Sequence, residues 1–181
     1  MGSQKAYISA GSNLGDRNSN LESALKSLAS GTVVRKVSSY FETEPVGYLN
    51  QPWFLNIAVE VETELTPLKL LNLCKTIEES EGRIRTFPNA PRTLDLDILL
   101  YGDLVVNDAG LTIPHPRMAE RRFVLEPLAQ IAPDVIHPVL RKSIRLLLDA
   151  CPDTSQVLKK DATDSPARPI AATKRKRRTS I

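Results

Sequence analysis

"LDLDILLYGD", residues 94 to 103, has the alternation of a β-strand and carries two carboxylates within it. Alternation places Leu94, Leu96, Ile98 and Leu100 on one face and Asp95, Asp97, Leu99 and Tyr101 on the other. The first is an ordinary core face. The second begins with two acids about 6.6 Å apart, at roughly 3.3 Å rise per residue. Like charges this close repel and raise one another's pKa, so a cation is expected between them.

The residues just upstream supply positive charge of their own. "GRIRTFPNAPRTLDLD" sets Arg83, Arg85 and Arg92 beside Asp95 and Asp97. An exposed Arg–Asp salt-bridge patch is one reading. Two features favour a site instead. Carboxylates sharing a strand face offer the hard oxygen ligands that divalent cations take, and Mg²⁺ uses one or two of them plus substrate phosphates. Arginines in a Pro-containing, non-periodic loop form a cationic cover for polyphosphate. The chain has no GxxxxGK[ST] loop and no kinase Gly-rich loop. His115, held between Pro114 and Pro116, is a candidate phosphate contact, whereas His137 reads as structural. "ERRFVLEPL" brings Arg121 and Arg122 next to Phe123.

Outward from this strand, "KAYISAGSN" reads as a first strand and "GDRNSNLESALKSLAS" as a helix with Leu21, Ala24, Leu25 and Leu28 on one face. "TVVRKVSSYFET" reads as one long strand, "EPVGYLNQPW" as a loop and "FLNIAVEVET" as a cleanly alternating strand. "TPLKLLNLCKTIEESEG" is a helix capped by Thr66, with Pro67 at its first position and Gly82 closing it. "YGDLVVND" predicts a hairpin from the aspartate strand into another strand. "LTIPHPRMAERRFVLEPLAQIAP" leads into two short helices, and "SIRLLLDAC" ends the domain. The order β-α-β-β-α-β predicts an α+β fold: a ferredoxin-like antiparallel sheet covered by helices, in a single domain.

Charge and composition narrow the function classes. Residues 174–178, "KRKRR", carry five of the positive charges, and the net +3 less those five leaves −2 for the rest. The body is therefore no basic nucleic-acid binder. The expected folded domain is 4–152, with 153–181 a disordered basic tail too poor in large apolar residues to bury a face. No apolar run is long enough to span a membrane, and the N-terminus has no signal-peptide core, so a cytoplasmic protein is expected. Cys74 and Cys151, far apart in sequence, read as free thiols.

Taken in order, "GSNLGDR", "TEPVGYLNQPWFLN", "GRIR", "APRTLDLDIL" and "IPHPRMAERRFVLEPL" resemble the 6-hydroxymethyl-7,8-dihydropterin pyrophosphokinases of folate biosynthesis, over about residues 5 to 150. The chain departs from many members in carrying Pro88, Asn89 and Ala90 where they have an aromatic and a glycine; Phe87 is the candidate cover there. The resemblance implies transfer of pyrophosphate from ATP to the hydroxymethyl group of the pterin, releasing AMP. It implies two Mg²⁺ ions on Asp95 and Asp97, with Arg83 and Arg92 stabilising charge on the transferred group. ATP contacts are implied for Glu78, Arg85, Arg92, Ile98, Thr112, His115 and Arg121. Pterin contacts are implied for Thr43, Val46, Phe54, Asn56 and Phe123, with the two rings stacking on the heterocycle and the amide reading its edge. The expected partners are these two small molecules, with no nucleic acid and no membrane. A ferredoxin-like module that binds a small ligand without chemistry is the competing reading, and it gives "RTLDLD" no purpose.

Overall fold

The cleanest alternation in the chain becomes β4 (Phe54–Thr63), which sends Leu55, Ile57, Val59 and Val61 to one side of a sheet and Phe54, Asn56, Ala58 and Glu60 to the other. The computed structural model that shows this describes residues 2–82, 89–108 and 110–160. β4 pairs antiparallel with β1 (Gln4–Ser12) on one side and with β2 (Val33–Val37) and β3 (Phe41–Thr43) on the other. β1 also pairs antiparallel with β5 (Asp95–Tyr101). With α1 (Arg17–Gly31) between β1 and β2 and α2 (Pro67–Ser80) between β4 and β5, this is the ferredoxin-like α+β arrangement.

Both helices begin where their side chains satisfy orphan N–H groups. Asp16 accepts from the Ser19 N–H, and Thr66 accepts from the Lys69 N–H ahead of Pro67. Their apolar stripes, Leu21, Ala24 and Leu28 on α1 and Leu70, Cys74 and Ile77 on α2, pack on Ile8, Ala10, Ile57, Val59, Leu94 and Leu96. The opposite sheet face is only partly covered. There α3 (Arg122–Ile131) and α4 (Ile144–Asp149) bury Val124, Leu125, Leu128, Ile144 and Leu147 against Tyr7, Ala58, Leu99 and Leu100. The uncovered end of that face holds the site. Cys74 and Cys151 are free thiols.

Four sequence expectations need correction. The strand expected over 32–43 divides: its register against β4 shifts between Val34 and Lys36, and at Ser38 the side chain takes over. Ser38 donates its N–H to the Ala58 carbonyl and accepts the Ala58 N–H on Oγ, each at 2.9 Å. The aspartate strand does not alternate to its end. Ile8 faces Ile98 while Tyr7 faces Leu100, so Leu99 is an extra residue. Beyond it the faces exchange: Leu100 joins the α3 side and Tyr101 the α1–α2 side. The hairpin expected from β5 does not form either; β6 (Val106–Asp108) pairs with β7 (Leu111–Ile113) in a separate two-stranded sheet. Finally, the fold runs past residue 152. β8 (Val157–Lys159) pairs antiparallel with β3. The Asp153 side chain accepts the Arg122 N–H at 2.9 Å, at the start of α3. Residues 161–181, with "KRKRR", lie outside the described residues, as do Arg83, Arg85 and Phe87.

Candidate active site

The central strands bring their site residues together by register. Asp95 stands opposite Gly11 and Asp97 opposite Ser9 on β1, and on the far side of β1 Gly11 stands opposite Asn56 of β4. Only glycine fits in the middle of that row: a Cβ on Gly11 would lie 2.4 Å from Asn56 Oδ1. Asn56 is 3 % exposed and donates its Nδ2–H to Thr43 Oγ1 at 2.7 Å, which fixes the direction of its amide.

These residues floor a cavity of about 370 Å³. Of the residues expected from sequence, it gathers Thr43, Val46, Phe54, Asn56, Arg92, Asp95, Asp97, His115, Arg121 and Phe123. Three others lie elsewhere. Glu78 is buried on α2 and accepts the Leu96 N–H at 2.7 Å; Ile98 is buried on the opposite sheet face; Thr112 is exposed on β7. Glu44 and Gly47, of the "EPVG" loop expected around Val46, line it too, whereas Ser9, Gly11, Gln51, Asn89 and Arg117 line it and went unread in the sequence as site residues. Gly11 and Gly47 carried a signal as glycines flanked by motif residues. Gly47 has φ +88, and a Cβ there would meet Asn89 Nδ2 at 2.8 Å.

Each cavity aromatic lies under an arginine. The Arg92 guanidinium carbon is 5.7 Å from the centroid of Phe54, and that of Arg121 is 5.6 Å from the centroid of Phe123. Arg92 also donates from Nη1 to Asp95 Oδ2 at 3.0 Å, so part of the Arg–Asp patch reading is present. His115 is placed by its backbone, whose N–H donates to the Leu99 carbonyl at 2.9 Å. Burial, with Arg121 and Arg117 nearby, pushes its pKa down to about 4. Its Nδ1 accepts the Arg117 N–H at 3.2 Å, so the neutral ring carries its proton on Nε2. That atom is 3.9 Å from Asp97 Oδ2, too far to be a hydrogen bond and free to turn to a ligand between them.

The donor set fits a hard dication delivered with phosphates. Asp95 and Asp97 open onto one cavity with the Ser9 hydroxyl beside them, and among the described residues no group of three or more His, Cys, Asp or Glu forms a full protein cage. Arg92, Arg117, Arg121 and the His115 N–H face the same space.

This arrangement has known counterparts. The sequence model of the family 7,8-dihydro-6-hydroxymethylpterin-pyrophosphokinase matches residues 7–133. The chain belongs to that family. It is 50% identical over 132 residues to the 2-amino-4-hydroxy-6-hydroxymethyldihydropteridine pyrophosphokinase of Bacillus subtilis, covering 72% of this chain and 79% of that protein. Over 149 residues it is 44% identical to the folic acid synthesis protein fol1 of Schizosaccharomyces pombe, covering 81% of this chain and 20% of that longer protein. Its fold is that of the Plasmodium falciparum HPPK-DHPS crystal structure with pteroate, at TM-score 0.68 and 19% identity, over 82% of this chain and 42% of that one. Asn89 stands in the cavity wall with φ 60, a conformation that asparagine tolerates.

Proposed function

We propose that this chain transfers pyrophosphate from ATP to the hydroxymethyl group of 6-hydroxymethyl-7,8-dihydropterin, releasing AMP. It is thus a 2-amino-4-hydroxy-6-hydroxymethyldihydropteridine diphosphokinase of folate biosynthesis. The observation that carries the reading is one cavity lined by two sets of groups, which in this reading form a phosphate compartment and a pterin compartment. One is lined by a carboxylate pair, three arginines and a neutral His N–H; the other by two aromatic rings and a fixed amide. A binding module without chemistry has no need for the first compartment.

In this reading Phe54 and Phe123 stack on the pterin, with Val46 on the wall, while Asn56, held by Thr43, reads the ring's hydrogen-bonding edge. Asp95 and Asp97 would hold two Mg²⁺ ions together with the phosphates of ATP. When bound, the metals neutralise phosphate oxygens and lower the pKa of the attacking hydroxyl. Arg92 and Arg121 grip the phosphate chain and stabilise charge that builds on the transferred group. His115, neutral and aimed by the Arg117 N–H, donates from Nε2 to a phosphate oxygen. Arg83 and Arg85, from sequence, complete the cationic cover. Glu78 acts from beneath by fixing Leu96, the residue between the two aspartates. Ile98 and Thr112 belong to the nucleotide side by resemblance alone. Among the described residues no helix is long and apolar enough to cross a membrane. We place the chain in the cytoplasm, where ATP is available.

Incubation with Mg-ATP and the hydroxymethyl pterin tests this directly. AMP together with a pyrophosphorylated pterin is expected. ADP as the nucleotide product shows a different kinase, and no nucleotide product shows a binding module.

A further inference from the structure

Asn13 follows β1 directly and lines no part of the cavity, yet it is 2 % exposed and all of its amide is in use. Its Oδ1 accepts the Arg92 backbone N–H at 2.8 Å, and its own backbone N–H donates to the Arg92 carbonyl at 3.1 Å. Its Nδ2 donates to Gln51 Oε1 at 2.8 Å and to the Pro52 carbonyl at 3.0 Å. The partners fix which end of the amide is oxygen. Gln51 carries the chain of amides on, donating from Nε2 to the Tyr48 carbonyl at 2.6 Å and the Asn89 carbonyl at 3.0 Å.

One residue outside the site therefore holds both backbone polar groups of Arg92. It also ties the 48–52 loop of the pterin compartment to the 89–92 segment of the phosphate compartment. Held this way, Arg92 reaches Asp95 and lies over Phe54, and its buried Nε has no hydrogen-bond partner among the described residues. Its planar fork thus keeps capacity for a ligand. Nothing but an amide of this length does the same work at position 13. Aspartate keeps the acceptor and loses both donors, and alanine loses all three side-chain bonds.

We propose that Asn13 is the positioning residue for Arg92: it sets the guanidinium between the two compartments and acts on the reaction mainly through it. The proposal rests on the pyrophosphoryl-transfer reading. Its test is a double-mutant cycle on the full chain, with single-turnover AMP formation measured for wild type, N13A, R92A and N13A/R92A. Exchange of the Arg92 backbone amide is followed by NMR in wild type, N13A and N13D. A misplaced arginine should slow N13A by about 10- to 100-fold, whereas in the R92A background the same change should cost less than about twofold. The Arg92 amide should exchange faster in N13A and near the wild-type rate in N13D, with Ile57 and Val59 of β4 still protected in both. Equal losses in the two backgrounds overturn the proposal, as does an N13A with wild-type rate. So does an N13D that frees the Arg92 amide as fully as N13A, or loss of protection at Ile57 and Val59. A wild-type protein that forms no AMP refutes the functional reading instead, and exchange at Arg92 then still decides whether Asn13 holds it.

Discussion

The His115 backbone N–H donates to the carbonyl of Leu99, the extra residue of the β5 bulge. β5 is the edge strand of its sheet, and on its open side this carbonyl holds the "IPHPR" segment against the strand. Two residues before Leu99 lies Asp97, and with the segment tethered there the His115 ring stands within 3.9 Å of it.

Because the tether is main chain, His115→Ala should leave it in place and remove the Nε2–H donor together with the Nδ1 acceptor of the Arg117 N–H. The expected result is a melting point within a few degrees of wild type and a transfer rate lower by about 10²- to 10³-fold, the usual loss for one preorganised donor. Thermal melts and AMP release on one preparation decide it. A near-normal rate rules out the phosphate contact.

Asp97→Ala removes a proposed metal ligand and also the repulsion from Asp95, two residues away on the same face. The fold should hold, within about 1 kcal/mol of wild-type stability by urea titration, while turnover falls by orders of magnitude. EDTA should do the same reversibly to the wild type, with activity restored by excess Mg²⁺. Activity that survives both treatments excludes the metal role.

Gly11→Ala should damage one compartment and spare the other. The new Cβ lands 2.4 Å from Asn56 Oδ1, so the amide must leave its bond to Thr43. With a buried amide left unsatisfied, a stability cost of about 1–3 kcal/mol is expected. Calorimetric titration should find pterin affinity down at least tenfold and affinity for a Mg²⁺-bound, non-hydrolysable ATP analogue within about threefold, since a bidentate edge contact is worth more than 1.4 kcal/mol. Equal losses for both ligands mean that the whole row has collapsed.

A pH dependence follows from His137, 5 % exposed, whose Nδ1 accepts the Val139 and Leu140 N–H groups at 3.3 and 3.1 Å. Burial lowers its pKa below the ordinary 6.5. In the window beneath 6.5 the unfolded chain binds a proton that the folded chain resists, so His137's contribution is complete above that pH and declines as pH falls. His137→Asn removes the titration. The stability gap between wild type and this variant should therefore shrink from pH 7 to pH 5.5, measured by denaturant unfolding. A constant gap shows that His137 does not titrate in this range.

How much of this was legible in the sequence depended on whether a signal was local. Thr66 and Pro67 announced α2, and the period of "FLNIAVEVET" announced β4, because cap chemistry and alternation are written in adjacent residues. The Leu99 bulge was not legible, since "DILLY" is apolar on both faces and either register buries it. The break at Ser38–Tyr40 depends on Ala58, a partner on another strand, and the pairing of β8 depends on β3. Within the site, residues of particular chemistry such as Asp95, Asp97, Arg92 and His115 stood out. Asn13 and Gln51, ordinary amides in sequence, acquire their roles only through the contacts they make in the fold.

Removing residues 153–181 should harm the protein, contrary to what a disordered tail would do. The truncation takes away β8, and with it the pairing that covers the edge of β3, where Thr43 stands opposite Val157. It cuts the Lys160–Glu42 ion pair at 3.2 Å and the backbone bond from the Glu44 N–H to the Gln156 carbonyl at 3.0 Å. It also removes Asp153. Burial alone would raise the pKa of that carboxyl, but the Ser155 and Arg122 N–H groups outweigh it and hold the carboxyl below its ordinary value. It is therefore ionised at neutral pH and sits at the positive end of α3, where Arg121 is the N-cap and Phe123 lies in the first turn. Asp153→Ala alone should cost about 0.5–2 kcal/mol, as for a lost helix cap. The 1–152 chain should lose more than that, and should bind pterin more weakly than the nucleotide analogue because Thr43 and Phe123 are both released. Denaturant unfolding and calorimetry on the full chain, the point variant and the truncation give the comparison. A 1–152 chain as stable and as tight for pterin as the full chain would show that β8 adds nothing to the domain.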